Sequence, residues 1–436
     1  MRIGFLSTRI AGADGVSLEI AKLATICRRL GHAVCYCAGE LEPWLAAEGM
    51  LAPAMHFAHP EARWIHDHSF GTTVAAVDLH ERIATMAGQL KAAIGRFVAD
   101  FGVDLLFVQN ALAIPMHIPL GVALTDYLAE TGIPTLAHNH DLAWERERFA
   151  ITCIPEILAR CFPPNLPSVR HLVINSLAQR ALRERKGIEA ILFPNIFDFA
   201  TAAPGISDFN TDLRRALGLG DDQLFILQPT RVVPRKGIEL AIELLAQLRA
   251  PARRSQLRGT EPVLVITHPA GDEGLDYLER VQAQAQATGV PLLYAADWFA
   301  SERGWRNGRK IYSLWDAYVH ADFVTYPSFI EGFGNALLEA IYFRLPVLVN
   351  RYPVYAADIA PRGFDLVEIE GVITERTADE VIAARPCAIR PRASFGCSPF
   401  SMAKRGRPRY GWPWPTDWRA TSASHPRPSQ GRGPGG

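Results

Sequence analysis

The sequence predicts an α/β protein built as two Rossmann-like halves that face a cleft. Three observations carry that prediction. The chain opens with a strand, a glycine-containing turn, a helix and a second strand between Arg2 and Cys37, the order of a doubly wound sheet. The same order restarts at Leu224, past a Gly/Pro/Ala-containing linker near Ala202–Ser207. At 436 residues the chain is too long for one typical core, so two or three domains follow. The expected division is 1–200, 205–384 and a compositionally distinct tail, 385–436.

In the first half, Arg2–Ser7 is read as a strand and Ala11–Ser17 as the turn after it. Ile20, Leu23, Ala24, Cys27 and Leu30 then recur at helical spacing, and Gly31 stops that helix before the strand Ala33–Cys37. Glu42–Asp78 reads as one long irregular stretch. It carries His56, His59, His66 and His68, whose spacing fits no standard metal set. A helix is expected over Leu79–Asp100, with strands over Asp104–Gln109, Pro134–His138, His171–Ile174 and Ile191–Phe193. The second half is expected to run strand Leu224–Gln228, turn Thr230–Lys236, helix Gly237–Leu248, strand Val263–Thr267 and helix Glu273–Ala287. Strand Phe323–Tyr326, strand Phe364–Glu368 and helix Ala378–Ala384 follow.

Composition narrows the function. Apolar residues make up 49% and charged residues 21%, as in an ordinary globular enzyme. The formal net charge is zero, which gives no electrostatic case for nucleic acid as a partner. No apolar run approaches the roughly 20 residues of a membrane span, and Met1–Ser7 reads as a strand rather than a signal peptide. The seven cysteines lack metal-ligand spacing, and Cys35 and Cys37 are read as packed thiols on one strand face. A reduced, cytoplasmic protein is expected. With neither Gly-x-Gly-x-x-Gly nor a Walker lysine motif, the dinucleotide fingerprint and the P-loop are both disfavoured.

The most informative stretch is Pro327–Ala340. A loop with Gly332 and Gly334 joins the apolar strand before it to the helical Leu337–Ile341, so backbone amides can approach a bound group at a helix N-terminus. Glu331 lies in this loop and Glu339 about one turn inside the helix. Carboxylates so placed need hydroxyls or cations, and sugar or ribose hydroxyls suit them. A second constellation is Pro229–Gly237, where Arg231 ends a strand and Lys236 opens a helix. Two cations there form a strong diphosphate site. Arg235 is expected to point outward. Glu331 and Glu339, with seven residues between them around Gly332-Phe333-Gly334, resemble the paired-glutamate motif of the retaining glycosyltransferases of family 4, the group 1 glycosyltransferases. The match is most specific from Tyr326 to Pro346.

That resemblance implies the GT-B fold, with an acceptor-binding first domain and a nucleotide-sugar-binding second domain. It implies transfer of a hexose from a UDP- or GDP-linked sugar to a hydroxyl of a small-molecule or glycan acceptor, with retained anomeric configuration. By the family's pattern Arg231 and Lys236 bind the diphosphate, and Glu339 the ribose. Glu331, with Gly332, Phe333 and Gly334, holds the donor sugar. Gly15, in the turn after the first strand, matches the loop whose amides approach the diphosphate or acceptor. His140, just past a strand end, matches the histidine beside the anomeric carbon. Trp144, Arg146 and Arg148 suit an acceptor bearing a carboxylate or phosphate, and Trp144-Glu145-Arg146 is similar to a segment of enzymes that make small compatible solutes. No Asp-x-Asp occurs, which disfavours the metal-dependent type of transferase, so neither metal nor cofactor is expected beyond the nucleotide sugar. A nucleotide-sugar 2-epimerase and an inactive nucleotide-sugar-binding protein remain as alternatives.

Beyond residue 384 the pattern changes. Asp417 is the one acidic residue, among many Arg, Pro, Ser, Gly and Trp. Such a segment has no periodic apolar face and is expected to be disordered. Its composition fits an out-of-frame translation of a G/C-rich gene, the alternative being an anion-binding tail. The family usually ends in a helix that crosses back onto the first domain. The substitution of this tail implies exposed apolar surface, looser closure and doubt about activity.

Overall fold

The computed structural model describes residues 1–12, 14–199, 201–271 and 274–384. The expectations for 385–436 and for Glu273 fall outside these. In the first half, parallel strands β1 (Arg2–Ser7), β2 (Ala33–Ala38), β3 (Gly49–Leu51), β4 (Leu105–Gln109), β5 (Thr135–Asn139), β6 (Val169–Val173) and β7 (Ile191–Leu192) form one sheet in the order 3-2-1-4-5-6-7. Alternation along β1 explains its two cores: Ile3 and Phe5 face helix α1 (Gly15–Arg29), whereas Leu6 joins the opposite cluster with Ile83, Leu90 and Ile94 of a long helix, Leu79–Phe101. The strand order reverses direction between β1 and β4, which opens a crevice at their carboxyl ends.

The second half repeats the plan with a six-stranded parallel sheet. It is built from β8 (Gln223–Gln228), β9 (Glu261–Ile266), β10 (Leu292–Tyr294), β14 (Phe323–Tyr326), β15 (Val347–Asn350) and β16 (Val367–Ile369), ordered 10-9-8-14-15-16. Between β10 and β14 a small three-stranded sheet is inserted: β11 (Phe299–Ala300), β12 (Gly304–Arg306) and β13 (Arg309–Ser313). Leu224 and Ile226 of β8 face one core and Phe225 and Leu227 the other. The reversal here lies between β8 and β14. Both motif-bearing loops, Pro229–Gly237 and Pro327–Gly334, leave the sheet at that point.

The structure departs from the sequence reading at three places. Glu42–Asp78 is not irregular: it contains β3 and α2 (Pro60–Ser69). Pro60 occupies the first helical turn, His59 Nδ1 accepts from the Glu61 amide at 3.3 Å, and Ala62 and Ile65 bury the inner face. The buried helix Ile118–Thr131 was not anticipated, because Ile118 to Leu124 are buried throughout and show no amphipathic stripe. The last two elements begin later and earlier than expected, at Val367 and at Glu375, as helix and strand ends commonly do. Among the described residues no helix is long and apolar enough to cross a membrane.

Candidate active site

At the reversal point of the second sheet two loops are tied together. Pro234–Lys236 makes one 3-10 turn, and Gly237 follows in the left-handed region at φ 60°. A Cβ at Gly237 would lie 2.5 Å from the Pro327 carbonyl, so only glycine lets the cationic loop approach the glutamate loop this closely. The Phe329 amide donates to the Arg235 carbonyl at 2.9 Å. Lys236 Nζ then donates to Glu331 Oε1, with both side chains 9% exposed. Arg235, expected to point outward, instead turns in: it donates to the Ile330 carbonyl at 3.1 Å and lies 3.7 Å from Glu331 Oε2. Attraction to the buried Glu331 outweighs the solvation it would gain outside.

Burial raises the Glu331 pKa, but the Lys236 charge and hydrogen bonds from Lys236 and Tyr326 more than offset it, holding Glu331 below the usual carboxylate range. Lys236 is lowered by burial first and by the Arg235 and Arg231 charges, against the pull of Glu331. Arg231 is exposed at the mouth of this loop. Gly332 and Gly334 flank Phe333, whose ring lies in the core while its carbonyl accepts from Tyr352 Oη at 2.7 Å. Gly334, at φ 122°, would place a Cβ 2.5 Å from that hydroxyl, so glycine is required here as well. The helix Asn335–Tyr342 starts at once and carries Glu339, which accepts from Tyr318 Oη at 2.8 Å and Trp315 Nε1 at 3.2 Å. Burial raises its pKa despite these donors.

The first half brings its own strand ends to this loop. Asn175, after β6, donates through Nδ2 to the Gly332 carbonyl at 2.8 Å. Asn195, after β7, donates to Asn335 Oδ1 at 2.7 Å, and the Ser176 amide donates to Asp358 Oδ2 at 2.7 Å. Gly15 opens α1 facing Asn335: a Cβ there would lie 3.5 Å from its Nδ2. At that helix terminus Asp14 Oδ1 accepts from the Val16 and Ser17 amides at 3.0 and 3.2 Å, and Arg9 pairs with Asp14 at 3.0 Å. The His140 carbonyl lies 3.4 Å from where a Gly332 Cβ would sit. The structure thus gathers Gly15, His140, Lys236, Glu331, Gly332 and Asn335 along one seam between carboxyl ends.

Trp144 and Arg146 lie farther along the same β5 loop. The Trp144 ring packs on the cluster of Leu142, Ala178 and Leu182, with Arg185 over it at 5.4 Å. Arg146 donates to Asp141 Oδ2 at 2.6 Å. Sequence reasoning missed other residues at this seam. His268, just past β9, is held neutral, its pKa lowered to about 4 by burial and then by the Lys236 and Arg231 charges. Trp315 and Tyr318 supply the donors to Glu339, and Gln109 and Asn110 grip the His138–Asp141 turn. Each stands on another strand end or helix, far away in sequence and without a motif around it. Among the described residues no group of three His, Cys, Asp or Glu is placed to hold a metal ion.

Comparison with known proteins agrees with this geometry. The family described as "Glycosyl transferases group 1" matches residues 209–385. Mannosylglucosylglycerate synthase of Petrotoga mobilis is 33% identical over 390 residues, covering 85% of this chain and 86% of the relative. The synthase of the same name from Thermotoga maritima is 30% identical over 387 residues, covering 85% of each. Among solved structures, Anabaena Alr3699/HepE in complex with UDP and glucose superposes with a TM-score of 0.55 at 15% identity, over 88% of this chain and 89% of that one. The architecture is therefore that of GT-B glycosyltransferases.

Proposed function

The chain belongs to the group 1 glycosyltransferases, and on that premise we propose that it transfers a hexose from a UDP- or GDP-linked sugar to a hydroxyl of a small acceptor, with retention, as a metal-independent enzyme of the family 4 type. The relatives' names support mannose as the hexose and glucosylglycerate as the acceptor. The bond from the anomeric carbon to the diphosphate oxygen breaks, the acceptor oxygen bonds on the same face, and the departing phosphate takes the acceptor proton. Arg231 and Lys236 neutralise charge as it develops on the diphosphate, where preorganised electrostatics count most. Glu331 and the amides of Gly332–Gly334 orient the donor sugar, and Glu339 holds the ribose. Gly15 and His140 face the transferring sugar from the first half. Arg146, braced by Asp141, meets the acceptor's carboxylate, and Trp144 backs that loop.

One observation carries this reading: the buried Lys236–Glu331 pair stands at the strand-order reversal of the second sheet, with the first half docked on its loop through Asn175. The required cations are the protein's own, so no divalent ion is invoked. The described cysteines are free thiols, in keeping with a cytoplasmic enzyme. The test is thermal-shift titration with UDP-, GDP- and ADP-sugars of the parent, Glu339→Ala and Arg231→Ala. Stabilisation by one nucleotide series, lost in both variants, is expected. A cooperative melt that no nucleotide sugar moves would overturn the donor site, and donor converted to its epimer without acceptor would indicate the epimerase instead.

A further inference from the structure

The chain passes from the core of the first half to that of the second between two neighbouring residues. Ile196 packs on the first-half core with Phe5 and Ile20, whereas Phe197 packs on the core of the second half. Both main-chain groups of Ile196 are taken by one turn of α1. Its amide donates to Glu19 Oε1 at 2.9 Å, and its carbonyl accepts from Lys22 Nζ at 3.0 Å. Lys22 Nζ also donates to Glu19 Oε2 at 3.2 Å and lies 5.3 Å from the centre of the Phe197 ring. A main-chain amide and an ammonium can only donate, so chemistry fixes the direction of all three bonds.

Glu19 is fully buried, as are Ile20, Leu23 and Ala24 of the same helix. Burial raises its pKa, against the Lys22 charge and the Ile196 amide. A buried carboxylate is costly where an apolar side chain would pack, so its partners are what set it apart. What it holds leads to the seam. The Phe197 ring lies 4.7 Å from Tyr342 and 6.0 Å from Trp315, and those two rings are 5.5 Å apart. Trp315 Nε1 in turn donates to Glu339. Gly15, Glu19 and Lys22 recur at helical spacing on α1, as Asn335, Glu339 and Tyr342 do on the helix Asn335–Tyr342. The crossing segment thus links the face of α1 that begins at the seam to the face that carries Glu339.

We propose that Glu19 and Lys22 are positioning residues: they clamp Ile196 at the crossing and, through Phe197 and Trp315, hold Glu339 where it meets the nucleotide's ribose. The last link rests on the transferase reading; the clamp does not. Neither residue touches the donor, so their effect on its binding should pass through Glu339.

The experiment is a double-mutant cycle on the full chain, with Glu19→Leu and Glu339→Ala singly and together. Calorimetry reads the binding of UDP-glucose, GDP-mannose and ADP-glucose. Glu19→Leu should weaken the bound donor about tenfold in the parent but less than about threefold in Glu339→Ala, because coupled residues are non-additive. Glu19→Gln keeps an acceptor for the Ile196 amide and should recover binding to within about threefold of the parent. Hydrogen exchange over 194–199, read by mass spectrometry, should quicken at least about tenfold in Glu19→Leu without any ligand. Additive losses in the cycle, parental donor binding by a folded Glu19→Leu, or unmoved exchange would overturn the proposal. Should Glu19→Leu fail to fold, Lys22→Met, which removes the donor to the Ile196 carbonyl, goes through the same cycle with the same expectation. Quickened exchange in a chain whose parent binds no nucleotide sugar would sink the transferase reading and the positioning role with it, leaving Glu19 a structural tie.

Discussion

The two halves present opposite kinds of polar group to the seam between them. The second half concentrates charge: Arg231, Arg235, Lys236 and Glu331 converge on one turn, with the lysine and glutamate buried against each other. The first half keeps its charges paired or capped: His138 and His140 are held neutral around one amide, Arg146 pairs with Asp141, and the α1 terminus is already filled by the Asp14 carboxylate, itself paired with Arg9. A helix terminus capped by its own aspartate is a poor place for a second anion, since the two would repel. The difference teaches a division of labour within one repeated topology. Under the proposed function, the half with the cationic turn would take the diphosphate and the other half the hydroxyls.

Breaking the charged side should have the largest effect. Lys236→Ala removes a cation and strands Glu331, so kcat/KM should fall roughly 10³-fold and unfolding free energy by about 3 kcal/mol. Adding Glu331→Gln should restore most of the stability in denaturant melts and none of the turnover. Recovery of activity in the double variant would contradict the diphosphate role of Lys236. Next in size, Glu339→Ala should weaken nucleotide-sugar binding by about 10- to 100-fold in calorimetry, because a charge-accepting partner of the ribose is lost. It should also free Trp315 and Tyr318, visible as a fluorescence change.

The neutral imidazoles of both halves make a pH prediction. His117, His138, His140, His171 and His268 all have folded pKa values below the ordinary 6.5, four of them at about 4. Between those values the unfolded chain binds more protons, so stability rises with pH through the window and is lost as pH falls from about 6.5 toward 4. Glu19, Glu145 and Glu339, raised by burial, oppose this, but they are fewer. The melting temperature should therefore be lower at pH 5 than at pH 7, and a rise on acidification would contradict the neutral-cluster description. The smallest effect is expected at the docking contact. Asn175→Ala loses the bond to the Gly332 carbonyl and the cap on Ala178, which should cost about 1 kcal/mol of stability and less than tenfold in kcat.

The charged half was the legible one. Glu331, Glu339, Arg231 and Lys236 lie in two short strings whose glycines and apolar flanks announce strand, turn and helix, so their convergence needed little tertiary knowledge. Arg235 escaped because an exposed basic loop and an inward ion pair look alike in one dimension. The neutral half was largely illegible: Gln109 and His140 are 31 residues apart, and nothing in either string says that β4 and β5 are neighbours. His268 likewise depends on β9 lying beside β8. The helix Ile118–Thr131 was hidden because burial on all sides erases the periodicity by which helices are recognised.

The most direct test of the division of labour is the NMR of the product formed from the stabilising nucleotide sugar and glucosylglycerate. The account predicts a new glycosidic bond with the donor's anomeric configuration, formed by the parent and absent with Lys236→Ala. An inverted product, or donor binding without transfer to any anionic acceptor, would contradict it.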